Sequence, residues 1–235
     1  MNIASYSLYG SDQKYFYGAI QNAKSVNHLA GNWKSYFYCD ASVPLWVINE
    51  LENFGARVII SEPGWHANGM FWRFYPIHNE RFERFIIRDV DSRISDREAI
   101  AIQSWIESGL LGHIMRDHPY HNTSILGGMW GARSDLRFEL EPIDIAQKYT
   151  TEKGQDQNYL EDIVYPILKE QSLIHDSFYK HEPSSVYFPT SRINGEYVGE
   201  VVAADGGVDL KLRKLLMFYE NHEAIWKLRR SLSSF

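Results

Sequence analysis

Cysteine is nearly absent from this sequence: Cys39 is the single one in 235 residues. That excludes an internal disulfide framework and a zinc–cysteine cluster. Cys39 closes the run Ser35-Tyr36-Phe37-Tyr38, which reads as a buried strand, so its thiol is expected in the core. Long apolar runs are missing too. No stretch approaches a membrane span, and Met1 to Gly10 carries neither a basic region nor a long apolar segment, so the expectation is a soluble, cytoplasmic protein. Positive charge is in deficit: 24 Lys and Arg against 30 Asp and Glu leave a net charge of −6, which argues against non-specific binding of nucleic acid. There is no internal repeat, low-complexity tract or linker. Nor is there a glycine-rich phosphate loop of the P-loop kind or a lysine poised near the first strand.

Aromatic residues, by contrast, are plentiful: 15 Tyr, 12 Phe and 7 Trp. Such rings fill a core and equally serve as platforms for sugars or bases. With 44% hydrophobic residues, a chain of this length supports one globular domain with a substantial core. Strands are predicted at Asn2–Leu8, Lys34–Cys39 and Ala56–Ile60. Helical spacing covers Lys14–Leu29 and Val43–Phe54, the second closed by Gly55. This alternation with short connections predicts an α/β fold with a mostly parallel central sheet and helices on both faces. Ligands on such sheets bind at the carboxyl ends of the strands.

The most chemically loaded stretch is Phe85-Ile86-Ile87-Arg88-Asp89-Val90-Asp91-Ser92-Arg93. It reads as the end of a buried strand followed by two carboxylates one residue apart. In extended backbone Asp89 and Asp91 point the same way while Val90 points back into the protein. Converging carboxylates repel unless a cation sits between them, and oxygen-only ligation suits Mg²⁺ or Mn²⁺. The plain alternative is a solvated turn. Arg88 and Arg93 flank the pair and are placed to contact phosphate or a ligand carboxylate. Ser95-Asp96-Arg97-Glu98 is a capping box opening a helix that continues to Ser108.

Upstream, Met70 to Tyr75 sets Arg73 among large apolar groups, where it either snorkels to water or is held by aromatics to face a nucleotide or phosphate. Downstream, a strand at Gly112–Met115 leads into Arg116-Asp117-His118-Pro119-Tyr120-His121-Asn122. The spacing of His118 and His121 is compatible with a metal, but donors to a sugar or phosphate are the stronger reading and loop hydrogen bonds the plain one. Gly127 and Gly128, between apolar flanks, are expected in a strand where a ligand approaches the backbone closely. Helices are predicted at Pro142–Tyr149 and Asp156–Gln171, the latter kinked or shortened by Pro166. Asp156-Gln157-Asn158 either caps that helix or faces a substrate. A strand at Ser172–Ser177 ends with His175 and Asp176, and Tyr179–Gly207 is loop-rich, a lid or an edge hairpin. Leu210–Leu232 reads as one basic amphipathic helix docked on its own domain, with attachment to an anionic membrane surface as the alternative.

The α/β amino-terminal half, the Asp-x-Asp after the fourth strand, the Gly-Gly segment and the Asp-Gln-Asn helix start together resemble nucleotide-sugar-dependent glycosyltransferases of the GT-A (Rossmann-like) fold. Phe74 to Trp130 is also similar to a bacterial and viral group of polysaccharide glycosyltransferases. The shared runs are Arg-Asp-Val-Asp-Ser-Arg, Arg-Asp-His-Pro-Tyr-His and Ile-Leu-Gly-Gly-Met-Trp-Gly. Residues 1–178 follow the general plan and the remainder does not match it.

The resemblance implies a nucleotide-binding half over 1–92, a sugar and acceptor half over 93–178, and a loop-rich segment with a helix over 179–235. It implies that Asp89 and Asp91 hold Mn²⁺ or Mg²⁺ bridging the donor diphosphate, with His175 as a third ligand. Tyr9 would meet the base and ribose, while Arg73 and Arg88 hold the donor. Gly127 and Gly128 correspond to the strand lining the sugar pocket of glycogenin-like enzymes, and Asp156-Gln157 to the start of their sugar-contacting helix. His118 and His121 would add substrate contacts. The implied activity is transfer from a nucleotide sugar, UDP-linked, to a glycan or lipid-linked acceptor in polysaccharide or surface-glycan assembly. An inverting enzyme would use Asp156, Glu161 or Asp162 as base; a retaining one would use Asp156 or Gln157 near the donor. Competing readings are a metal-dependent nucleotidyltransferase, a non-catalytic carbohydrate-binding protein of the same fold and, least favoured, a zinc hydrolase centred on His118 and His121.

Overall fold

Alternation along the first strand, β1 (Asn2–Leu8), divides the interior in two. Ala4, Tyr6 and Leu8 enter one cluster, with Phe16 and Ile20 of α1 (Gln13–Ser25), Val47 and Leu51 of α2 (Leu45–Asn53), and Ile102 and Trp105 of α3 (Asp96–Ser108). Ile3 enters the other, with Phe85 and Ile87 of β4 (Arg84–Arg88) and Phe71 and Phe74 of a 3₁₀ helix, Gly69–His78. The computed structural model describes residues 1–62, 68–79, 81–140 and 148–232. Most of the helix expected at Pro142–Tyr149 lies outside them, as does most of the loop after Glu62.

The remaining strands are β2 (Trp33–Cys39), β3 (Arg57–Ile60), β5 (Gly112–Arg116), β6 (Met129–Arg133) and β7 (Ser172–Asp176). They form a seven-stranded sheet in the order β3-β2-β1-β4-β6-β5-β7. Only β6 runs against the others, so the carboxyl ends of the other six strands share one edge of the sheet. The predicted α/β class with a mostly parallel sheet is what the chain adopts. Cys39 is fully buried, and burial pushes its thiol up to about 12.

Several local expectations are corrected. Gly127 and Gly128 are in a turn immediately before β6, not within the strand. Past a short α4 (Leu136–Glu139) and Gly154 the chain runs through α5 (Gln155–Tyr159), a π-helical turn (Leu160–Val164) and α6 (Tyr165–Leu168). Pro166 falls just after that wider turn, where its missing N–H and ring are accommodated without ending the helix. The C-terminal segment is two helices, α7 (Leu210–Asn221) and α8 (Glu223–Leu232), broken at His222. Both dock on the domain, through Leu216, Tyr219 and Trp226 packed with Phe178 and Tyr197. The segment after β7 runs back to the acidic stretch: Val202 N–H donates to Asp91 O (2.7 Å), and Val201 bridges to Ser92. Among the described residues no helix is long and apolar enough to cross a membrane.

Candidate functional site

A cleft of about 580 Å³ opens at the carboxyl ends of β1, β2 and β4. Tyr9, Trp72, Arg73, Asp40, Asp89 and Asp91 line it. Tyr9 follows β1 and meets Trp72 edge to face at 5.7 Å. Its ring lies flat enough on Gly69 that a Cβ there would come within 2.5 Å of it, so glycine is required at that contact.

Arg73 is gripped by β1. Ser5 Oγ donates to Arg73 O (2.7 Å), and Arg73 N–H donates to Ser7 Oγ (2.9 Å). Ser5 and Ser7 share a face of the strand, so the 3₁₀ helix is fixed along it. The guanidinium, with only 6% of its side chain exposed, bridges two carboxylates: Nη1 donates to Asp89 Oδ1 and Nη2 to Asp156 Oδ2 (2.8 Å). Burial pulls the Arg73 pKa down, and Asp89 and Asp156 more than offset it, leaving it raised. Arg73 therefore does not snorkel to water: it lines the cleft, held by two carboxylates where aromatics were expected to hold it.

Asp91 has its own cation. Lys14 Nζ, from the first turn of α1, lies 3.3 Å from Asp91 Oδ2. A lysine thus does stand near the first strand, in the helix that follows it, paired with Asp91 beside the cleft. Asp12 caps α1 by accepting from Lys14 N–H (2.9 Å), and a lysine two residues past an Asp cap was the available signal. The charged residues lining the cleft balance, Asp40, Asp89 and Asp91 against Arg73, Arg88 and Lys153, while Lys14 and Asp156 stand beside it, paired with Asp91 and Arg73.

Gly127 and Gly128 make room for this cluster. A Cβ on Gly128 would overlap Asp89 Oδ2 and lie 2.8 Å from Asp89 N; one on Gly127 would lie 2.6 Å from Arg73 Nη2. The approach they permit is that of the chain's own charged groups. Gly128→Ala is expected to destabilise by about 1–3 kcal/mol through overpacking against Asp89. Thermal melts check this; an unchanged melting temperature would show that the contact yields without cost.

Arg88 reaches the cleft wall but is 1% exposed: Nη1 donates to Gly128 O, Nη2 to Ser92 Oγ (2.9 Å), and Nε lies 3.0 Å from Glu98 Oε1. Its charge is matched by Glu98. Glu98 turns inward to this arginine, so only the Ser95 half of the capping box forms, with Ser95 Oγ accepting from Glu98 N–H (3.3 Å). Burial outweighs the opposing pull of Arg88 and raises the Glu98 carboxyl to about 7. Asp156 is 2% exposed and sits behind Arg73, and Gln157 Nε2 donates to Ile125 O and to Glu161 Oε1 (3.2 Å). Neither residue lines the cleft, because Gly154 rather than Asp156 caps the helix and turns Asp156 inward. Asp156 is a positioning residue for Arg73.

His118 and His121 are loop residues of the plain kind. His118 Nδ1 accepts from Tyr120 N–H (3.0 Å) and its Nε2–H donates to Leu212 O (3.2 Å); His121 Nδ1 accepts from Asp117 N–H (3.1 Å). Neither reaches the cleft. His175 does not join Asp89 and Asp91 either. It sits on the sheet's edge strand, and its Nδ1 is 2.8 Å from Nε2 of His113, both rings being buried. Burial, then Arg97, lowers His175 to about 4 against Asp117, and burial also lowers His113. The folded state therefore keeps both rings neutral while the unfolded chain protonates near the ordinary 6.5, so stability is present above that pH and is lost as pH falls toward 4. The expected loss is about 1.4 kcal/mol per pH unit for each ring. Urea denaturation at several pH values checks it: His175→Phe should flatten the slope, and an equal slope in both proteins contradicts it.

Among the described residues no group of three or more His, Cys, Asp or Glu is placed to hold a metal. The paired carboxylates Asp89 and Asp91, both lining the cleft, do fit Mg²⁺ or Mn²⁺, which are commonly bound by one or two carboxylates completed by water and substrate phosphate. Asp89 and Asp91 are the residues that would hold it.

No family model matches the sequence, and no curated protein matches it significantly. Solved structures do. The apo bifunctional glycosyltransferase WbbM is similar at a TM-score of 0.50 and 10% identity, over 82% of this chain and 42% of that one. S. aureus TarS 1–349 is similar at 0.46 and 12%, over 67% and 53% of the two chains. Glucosyl-3-phosphoglycerate synthase from Mycobacterium tuberculosis, solved with Mn²⁺, UDP-glucose and phosphoglyceric acid, is similar at 0.47 and 11%, over 74% and 68%. The chain thus spans about half the length of the TarS fragment and less of WbbM. At this identity the WbbM likeness shows the fold, the α/β arrangement of GT-A glycosyltransferases.

Proposed function

We propose that this chain transfers a sugar from a nucleoside diphosphate sugar, UDP-linked, to a glycan or lipid-linked acceptor in polysaccharide or surface-glycan assembly. One observation carries the reading: aromatic, cationic and paired acidic groups converge in a single cleft at the carboxyl edge of a GT-A-type sheet. Tyr9 and Trp72 offer the rings against which a base packs. Departure of the nucleoside diphosphate builds negative charge on its leaving oxygen, and Arg73, fixed by Ser5, Ser7 and Asp156, is a preorganised donor for it. Lys14 beside Asp91 is a second cation within reach of the same charge. A divalent ion held by Asp89 and Asp91 would supply further neutralisation of the diphosphate. Asp156 and Gln157 are not assigned to the reacting sugar, since both are engaged behind the cleft. Peripheral membrane contact is carried by one edge of α8, where Ile225 and Leu228 are exposed beside Lys227.

Lys14 also favours a second reading, nucleotidyl transfer, because a lysine beside a nucleotide's phosphates serves that reaction as well. The products separate the two. Glycosyl transfer releases UDP from a UDP-sugar in the presence of an acceptor, and the release should stop in EDTA. Nucleotidyl transfer releases pyrophosphate from a nucleoside triphosphate and a sugar phosphate. Acceptor-dependent UDP release from one member of a donor panel supports the proposal; pyrophosphate release, or no turnover with any donor, overturns it.

A further inference from the structure

A second cleft, of about 690 Å³, opens on the same sheet edge, between the residues following β7 and the two C-terminal helices. Arg97, Lys180, Tyr187, Thr190, Arg192 and Trp226 are among its lining residues. Its floor is a charge hub. Asp117, fully buried, accepts from Arg97 Nε and Nη2 (2.8 and 2.9 Å), from Arg192 Nη2 and from Ser177 Oγ (2.6 Å). Two guanidiniums thus share one carboxylate, with Arg192 also pairing Glu220. Four cations (Arg97, Lys180, Arg192, Lys227) and two carboxylates (Glu220, Glu223) line the cleft, a balance of +2 that Asp117 beneath reduces to +1. In a chain of net charge −6 this is a positive spot.

Four groups within it keep unused capacity. Among the described residues Arg192 Nε and Thr190 Oγ1 are buried without a hydrogen-bond partner, a cost that a bound acceptor group would remove. Lys180 stands in the left-handed region at φ 49°, a conformation disfavoured for a side-chain-bearing residue and held by its N–H donating to Asp176 Oδ2 (2.8 Å). Lys180 has no ion-pair partner among the described residues; its Nζ lies 3.6 Å from the centre of the Tyr187 ring. Tyr187 itself is 63% exposed, an aromatic face left open to solvent at the cleft mouth.

We infer that this cleft binds a sugar unit bearing a carboxylate or a phosphate, as a holding site for the acceptor glycan apart from the donor cleft. The open Tyr187 face suits the C–H face of a sugar ring. Lys180, Arg192 Nε and the Thr190 hydroxyl suit its anionic substituent. The preference for an anion rests on the charges alone; the choice of a saccharide rests on the transfer reading above.

Titration calorimetry with a glucuronic-acid-containing disaccharide, its neutral glucose counterpart, glucose 6-phosphate and inorganic phosphate tests this. The glucuronyl disaccharide should bind about tenfold or more tighter than the neutral one, the scale of one charge-assisted contact. Lys180→Gly, which relieves the left-handed backbone and so keeps the fold, should remove most of that preference, and Tyr187→Ala should weaken both disaccharides. Saturation with UDP and Mn²⁺ should displace neither. Tighter binding of glucose 6-phosphate than of the glucuronyl disaccharide supports the site and assigns phosphate as its anion. Equal affinity for charged and neutral disaccharides, displacement by UDP, or no binding of any anionic sugar overturns the inference. UDP binding measured on the same samples keeps the two claims apart: intact UDP binding with no anionic-sugar binding removes this site and leaves the donor cleft standing.

Discussion

Arg73→Met is expected to cost about 3–5 kcal/mol of stability, the scale of breaking a buried ion pair from one side. Methionine fills much of the same volume, so packing is not the main loss. The loss is electrostatic. Asp156 has 3% of its side chain exposed, its Oδ1 has no hydrogen-bond partner among the described residues, and Arg73 is the cation that holds its Oδ2. Without Arg73 that carboxylate is stranded in the interior or must take up a proton. Asp89, with 47% of its side chain exposed, loses the same partner at little cost because water can solvate it. Adding Asp156→Leu to Arg73→Met should therefore restore much of the stability while leaving nucleotide binding impaired. Urea denaturation of the single and double variants checks both statements. A single-variant loss below about 1 kcal/mol would mean the Arg73–Asp156 contact is not the buried bridge described here.

Asp91→Asn should have the opposite profile: near-native stability and a loss of transfer of about 10²–10³-fold. The Asp91–Lys14 pair is partly solvated, with side chains 18% and 34% exposed, and pairs of that kind contribute little to folding. Asparagine keeps the shape and removes the charge. What is lost is an anionic oxygen for the divalent ion and the ion-pair partner of Lys14 beside the cleft. Measuring UDP release under saturating donor alongside a thermal melt separates the two profiles. Wild-type turnover by a stable Asp91→Asn protein would remove the acidic pair from the chemistry.

The fold was largely legible because its signals are local. Period-two alternation in Asn2–Leu8 and helical spacing after Asp12 are written in the residues that make the elements, and the order of elements then dictates a parallel sheet. The cleft was legible where the sheet edge delivers a residue directly, as for Tyr9, Asp89 and Asp91. Partners that depend on a meeting of distant segments were not. Nothing in the spacing shows that Arg88 meets Glu98 and Gly128, or that Asp156 turns inward under a guanidinium 83 residues away. His175 meets the same limit: its place at a strand end is local in the sequence, while its neighbour across the sheet, His113, is not. Ser5 and Ser7 do carry a signal, since hydroxyls at alternate positions of an otherwise buried strand imply a polar partner on that face. Lys14 carries another.

Binding of UDP to the wild-type protein, followed by thermal melting in Mn²⁺ and again in EDTA, tests the central claim most directly. A ligand that binds only the folded state stabilises it by about 2.7 kcal/mol at a hundredfold excess over its dissociation constant. The donor cleft described here predicts a clear rise in melting temperature with UDP and Mn²⁺, lost in EDTA and lost again in Asp91→Asn. No rise at millimolar UDP, or the same rise in EDTA as in Mn²⁺, would contradict it.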